Sequence, residues 1–418
     1  MYLCEDMNRP FLTFFLVFVF QVCCLAQSRD LDYYIKVALT SNPLLKDLNN
    51  QTLINEIDSQ RITAGYKPQV SGIGNATYSP YVNGYGYDPV LSNIGALNAM
   101  VNVNKTFVGK KNLSTQYAAL HLNTDSLRNS QKIAEQDLKR SITTQYIVVW
   151  GDLQQQAFNK ELINTLQNQE LVLKNLTQSN IYRQTDYLAF LVALQQQILQ
   201  LKQLNIQTRV DFGTLNYLCG IADTSAPELA EPGIGLENLP ELDQSIFMLR
   251  YKTDSLKLEN QLGLLSYSYR PKLSGFANGG YSSSFIYEAY KNFGYSMGLN
   301  FTVPIYDGHQ RKMQVDKIHL AENSRATYQS FFMAQYNQQL TQLRQQLAAT
   351  ESLIADINEQ IKYAEGLIKV NSKLLETGDA KISDYVMAIN NYLTAKNLLT
   401  QNNISKLQII NQINYWNR

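Results

Sequence analysis

The stretch YKPQVSGIGNATYS occupies residues 66–79, and YRPKLSGFANGGYS occupies residues 269–282. Seven of the fourteen positions are identical, so one chain carries the same glycine-rich segment twice, about two hundred residues apart. In the first copy the even positions Val70, Gly72, Gly74, Ala76 and Tyr78 are apolar or small. The odd ones, Gln69, Ser71, Asn75 and Thr77, are polar, with Ile73 the exception. Alternation of period two over about ten residues fits a strand with one face toward lipid and the other toward a wet lumen.

The same reading extends outward. Residues 79–93 are turn chemistry throughout. A second alternating run, Leu97, Ala99, Val101 and Val103, leads through Phe107 to Gly109, which defines a hairpin over 69–107. Apolar residues then return at spacings of three and four from about 110 to 175 without a proline, with Gly151 the weak point. At ~1.5 Å per residue such a helix is on the order of 100 Å long, beyond the diameter of a globular domain. A second helix completes a pair over 110–217, and an earlier helix over 31–64 is interrupted near Asn42 and Pro43. Residues 220–240, with three prolines and three glycines, form a linker. Beyond it the order recurs: a helix over 241–265, a hairpin over 272–305 that ends on Val303 and Ile305, and a helix pair over 311–416. The expectation is an internal two-fold repeat, 27–219 and 241–418. Four strands cannot close a barrel, and open sheet edges are not tolerated in hydrocarbon. Either the sheet lies outside a membrane or several copies pool their strands, for which a symmetric oligomer is the simpler arrangement.

Composition narrows the function. The 418 residues carry a net charge of +1, which gives no global field to recruit nucleic acid. Residues 11–20 form an apolar core too short for a stop-transfer helix, and Cys24-Leu25-Ala26 places small residues for cleavage, so 1–26 read as an export signal. Glu5 and Asp6 do not suit its positive start, which points to translation from Met7. Of four cysteines only Cys219 then remains, and no disulfide framework or metal spacing follows. The three histidines, His121, His309 and His319, form no ligand pair at helical spacing. VGKK at 108–111 lacks the first glycine and the following Ser/Thr of a phosphate loop. Glu228 and Glu231 lie in the linker as surface charge. The chain is expected to be no enzyme and to bind no cofactor or metal. Tyrosine is abundant, with 27 residues, and Tyr78, Tyr81, Tyr85, Tyr87, Tyr281, Tyr287, Tyr290 and Tyr295 cluster at the hairpin tips. They read as an aromatic girdle at a membrane interface, or as strand propensity and loop packing.

Four features taken together carry a family resemblance: the doubled YxPxxSG, VPIYDG at 303–308, FVGKK at 107–111 and GDAKISDYVMA at 378–388. In order and spacing the chain resembles the TolC-like outer membrane efflux proteins. That resemblance implies a mainly α protein with a small β part. Four strands from each of three protomers would form a twelve-stranded barrel in the outer membrane of a Gram-negative bacterium, and the helix pairs a periplasmic α-barrel. It implies a passive exit duct of a tripartite efflux or type I secretion system, partnered by a periplasmic adaptor and an inner-membrane transporter. It places Thr185, Asp186 and Asp384 at a periplasmic constriction, with Asp384 in an acidic ring. The family's second acidic position is here Met387, and its tethering arginine falls on Ala380, where Lys381 can substitute. The first half has Val108 where the second has Asp307, and no proline matching Pro304, which puts the equatorial collar in question. A structural coiled-coil or adhesin protein of the envelope is the alternative that the residues leave open.

Overall fold

The computed structural model describes residues 29–80, 82–88, 95–223, 228–238, 245–284 and 291–416. The expected signal segment, Tyr81, Tyr287, Tyr290 and parts of the linker lie outside them. Helix α1 (Leu31–Ser41) starts at Asp30, whose side chain accepts from the Tyr33 N–H at 2.9 Å. It stops before Asn42, which is extended ahead of Pro43. Asn42 then caps α2 (Pro43–Gly65) by accepting from the Leu44 N–H at 2.9 Å. Strands β1 (Gln69–Tyr78) and β2 (Gly95–Phe107) follow, then α3 (Lys110–Gln178) and α4 (Gln184–Cys219). The second half runs α5 (Ile246–Ser268), β3 (Lys272–Ser283), β4 (Phe293–Thr302), α6 (Gln310–Thr377) and α7 (Ile382–Trp416).

The second hairpin is shorter than its sequence pattern. β4 ends at Thr302, and Val303 and Ile305 continue the alternation outside any strand, Ile305 almost fully exposed. Pro304 has no N–H to donate to a ladder, so the pattern outlasts the pairing. All four strands form one antiparallel sheet in the order β1-β2-β3-β4, which leaves β1 and β4 as edges. β2 pairs with β3 from Leu97↔Ser283 to Phe107↔Leu273, joining the two hairpins. In the first tip Val82 and Tyr85 exchange backbone bonds at 2.9 and 3.0 Å around Asn83 and Gly84, both left-handed. This is the Asn-Gly turn that suits strand twist.

The chain divides into a helical unit (up to 45, 134–240 and 334–418) and a sheet-bearing unit (46–133 and 241–333), each with segments of both halves. In the helical unit one core joins Leu162, Leu166 and Leu173 of α3, Phe190 and Leu194 of α4, Leu375 of α6, and Tyr385 and Ile389 of α7. A second gathers Tyr34 and Ala38 with Ile142, Tyr146, Phe212, Leu215 and Cys219. Burial of Cys219 raises its thiol to about 12. In the sheet-bearing unit Phe332 lies between Phe247 and Tyr251, with ring centroids at 6.2 and 5.7 Å, and Arg325 binds Glu322 at 2.8 Å.

Candidate functional site

Register assigns every strand residue to one of two faces. One face carries Val70, Gly72, Gly74 and Ala76 of β1 and Leu97, Ala99, Val101 and Val103 of β2. It continues with Leu273, Ala277 and Tyr281 of β3 and Phe293, Tyr295, Met297, Leu299 and Phe301 of β4. The other face carries most of the polar strand residues, together with Ile73, Ala96, Met100, Phe276 and three glycines, and its side chains bond across strands. Ser282 Oγ donates to Asn98 Oδ1, and Ser296 Oγ to Asn278 Oδ1, each at 2.7 Å. The apolar face has little cover: Met297 is 73 % and Leu299 70 % exposed. Gly280 (φ +155) sits where a Cβ would lie 2.3 Å from the Ala99 carbonyl, so only glycine lets β2 and β3 meet there. Of the expected girdle, Tyr78 and Tyr295 are exposed, whereas Tyr281 is buried against Phe293 at a ring distance of 5.7 Å.

The far ends of the helix pairs meet each other. α3 ends with Asn180 left-handed, the Ile181 N–H bonding the Leu176 carbonyl at 3.0 Å. α6 ends with Gly378 left-handed, the Asp379 N–H bonding the Leu374 carbonyl at 2.8 Å. These are the same left-handed helix stop at an offset of 198 residues. Ile181 touches the second turn: its Cγ2 is 3.0 Å from where a Gly378 side chain would begin. The Tyr182 hydroxyl lies 3.0 Å from both the Leu375 and Ala380 carbonyls and donates to them. Burial, with Asp379 nearby, raises that hydroxyl's pKa.

Thr185 and Asp186 are exposed in the first turn of α4, and Asp384 is exposed in the first turn of α7. Both acids sit where the helix dipole favours negative charge. Ser383 Oγ donates to Asp384 Oδ1 at 3.2 Å. Lys381 is exposed just ahead of α7, its carbonyl accepting from the Asp384 N–H at 3.1 Å, and Met387 is exposed one turn later. Sequence reasoning missed Asp379, a further exposed acid in the same turn, and Tyr182, whose partners lie almost two hundred residues away. No local pattern marks either one.

Beside this end a cleft of about 590 Å³ runs between α3, α6 and α7, lined by Phe158, Glu161, Lys369, Lys373, Tyr385 and Tyr392. Tyr392 is pushed to about 12 by burial and then by Glu365 and Glu161. Elsewhere in the helical unit burial, then the charge of Asp211, raises the Asp152 carboxyl to about 7. Asp211 itself accepts from Gln207 Nε2 at 2.8 Å. Among the described residues no three His, Cys, Asp or Glu side chains gather to hold a metal ion. None of the described helices is long and apolar enough to cross a membrane.

No sequence family and no curated protein matches the chain. Solved structures do. CusC, a transmembrane channel, has a TM-score of 0.76 at 11% identity, over 93% of this chain and 92% of its own. The outer membrane protein VceC of Vibrio cholerae gives 0.74 at 14%, over 93% and 96%. The CmeC outer membrane channel of Campylobacter jejuni gives 0.73 at 13%, over 93% and 85%. The chain therefore has the fold of the TolC-like outer membrane channels.

Proposed function

We infer that the chain is an outer-membrane exit duct built as a homotrimer, an internally duplicated member of the TolC-like family. The observation that carries this reading is the sheet. It has an apolar face with little cover, a hydrogen-bonded polar face and two open edges. In hydrocarbon an unpaired edge costs several kcal/mol for each backbone group, so β1 and β4 need partners. Three copies joined edge to edge give twelve strands, with the apolar face toward lipid and the polar face toward a lumen. The helix pairs then extend into the periplasm, and the turns that carry Asp186, Asp379 and Asp384 ring the narrow end. In this reading a periplasmic adaptor docks at the cleft between α3, α6 and α7, and an inner-membrane transporter drives export through the passive tunnel.

Membrane fractionation followed by mass measurement in detergent tests this. The expected product is a trimer extracted from the outer membrane. A stable monomer, or recovery in the soluble periplasmic fraction, would end the reading.

A further inference from the structure

Charge is almost absent from the sheet. The four strands contain two charged residues, Lys105 and Lys272, both at the end where strands meet helices. At that end two junctions pass from strand to long helix, and both helices begin with paired cations, Lys110-Lys111 in α3 and Arg311-Lys312 in α6. Neither first turn contains an acid. Cations at a helix N-terminus oppose the dipole, so each junction calls for an anion.

The second junction supplies its own. The Asp307 carboxylate accepts from the Arg311 N–H at 2.8 Å and bonds the Tyr269 side chain. The first junction has Val108 at the matching place. There the chain leaves a cleft of about 620 Å³, with Lys110, Lys111, Arg270 and Lys272 around it and Val108 and Leu264 in its lining. All four cations are exposed, and none forms an ion pair with a described residue. Arg270 lies over the Tyr267 ring, 4.4 Å from its centroid, which fixes the guanidinium at the rim.

We propose that this cleft binds the phosphate head group of an anionic phospholipid, in the position that Asp307 fills at the other junction. The inference rests on the membrane-spanning reading, which puts the strand–helix boundary at the level of the inner leaflet's head groups. Basic clusters with apolar flanks at that level suit a lipid whose phosphate meets cations while its glycerol and chains meet apolar surface. A free phosphate shares the charge but leaves Val108 and Leu264 without a partner.

The test is native mass spectrometry of the detergent-extracted full-length protein, titrated with phosphatidylglycerol or phosphatidylcholine. The expected result is one phosphatidylglycerol held per protomer in preference to phosphatidylcholine. Lys110→Gln with Arg270→Gln should lower that occupancy roughly tenfold or more. Val108→Asp should lower it as well, because it supplies the missing carboxylate inside the protein. Lys110→Arg with Arg270→Lys keeps both charges and should retain the lipid. Equal retention of the two lipids, or unchanged occupancy in Val108→Asp, would overturn the proposal. So would displacement of the lipid by an equal concentration of inorganic phosphate. A membrane-borne trimer without lipid preference sinks this inference alone, whereas a soluble monomer sinks the duct reading with it.

Discussion

The Tyr182 hydroxyl ties the end of the first helix pair to the backbone of the second. Tyr182→Phe removes its bonds and leaves two carbonyls short of a donor, a loss of about 1 kcal/mol. The expected outcome is a lower melting temperature and, in planar bilayers, a larger and noisier conductance as the turns loosen. Asp384 invites a different measurement. In the proposed trimer three copies of Asp384 around the axis would attract cations, so Asp384→Asn should lower cation selectivity and relieve block by multivalent cations. Unchanged selectivity would leave Asp384 only its place in the first helical turn. Asp152 links stability to pH. Its folded pKa of about 7 lies above the ordinary 3.8, so the folded state holds the proton more tightly. That stabilisation is complete below the ordinary value and is lost as pH rises through the folded one. Asp152→Asn should therefore melt several degrees above the parent beyond pH 7, with the difference vanishing near pH 3.8.

At the scale of helices and strands, Gly151 shows what a sequence withholds. In a 69-residue helix it reads as a weak point, yet a Cβ there would lie 2.2 Å from Ile404 Cδ1 of α7. The glycine lets two helices approach. Gly151→Ala should destabilise despite its better helix propensity, and Ile404→Ala in the same chain should recover part of the loss. A coupling of about 1 kcal/mol in a double-mutant cycle is the expected reading. Gly280→Ala should be more severe, because its clash is with backbone, and should prevent assembly of the proposed trimer in detergent. The elements themselves were legible because their signals are local: period two in Val70–Tyr78, spacings of three and four from Leu138 to Leu153, and a proline after Asn42. The β2–β3 pairing, the burial of Tyr281 and the carboxyl pair of Asp152 and Asp211 were not. Each depends on residues brought together from distant parts of the chain, which no spacing encodes. Pro304 misled in the opposite sense, since apolar alternation runs past it while hydrogen bonding cannot.

For the whole molecule, the duct reading fixes a topology. Both hairpin tips must turn on the outer side of the membrane, so epitope tags at Gly84 and Asn292 should be reachable on intact cells. Labelling only after permeabilisation would reverse the orientation or take the strands out of the bilayer. The division of the chain into units that each draw on both halves has a consequence for synthesis. Asn411 bonds the Arg140 carbonyl at 3.0 Å across 271 residues, and Tyr182 reaches Ala380 across 198. Such distant pairings make folding slow, because long loops must close before any contact rewards them. In the duct reading the first half leaves the ribosome and crosses the inner membrane with its partners still unmade. It must therefore wait, open and vulnerable to proteases, until α7 arrives. A chain cut short in the linker should be degraded, not stored, and the intact chain should depend on periplasmic holdases during that interval.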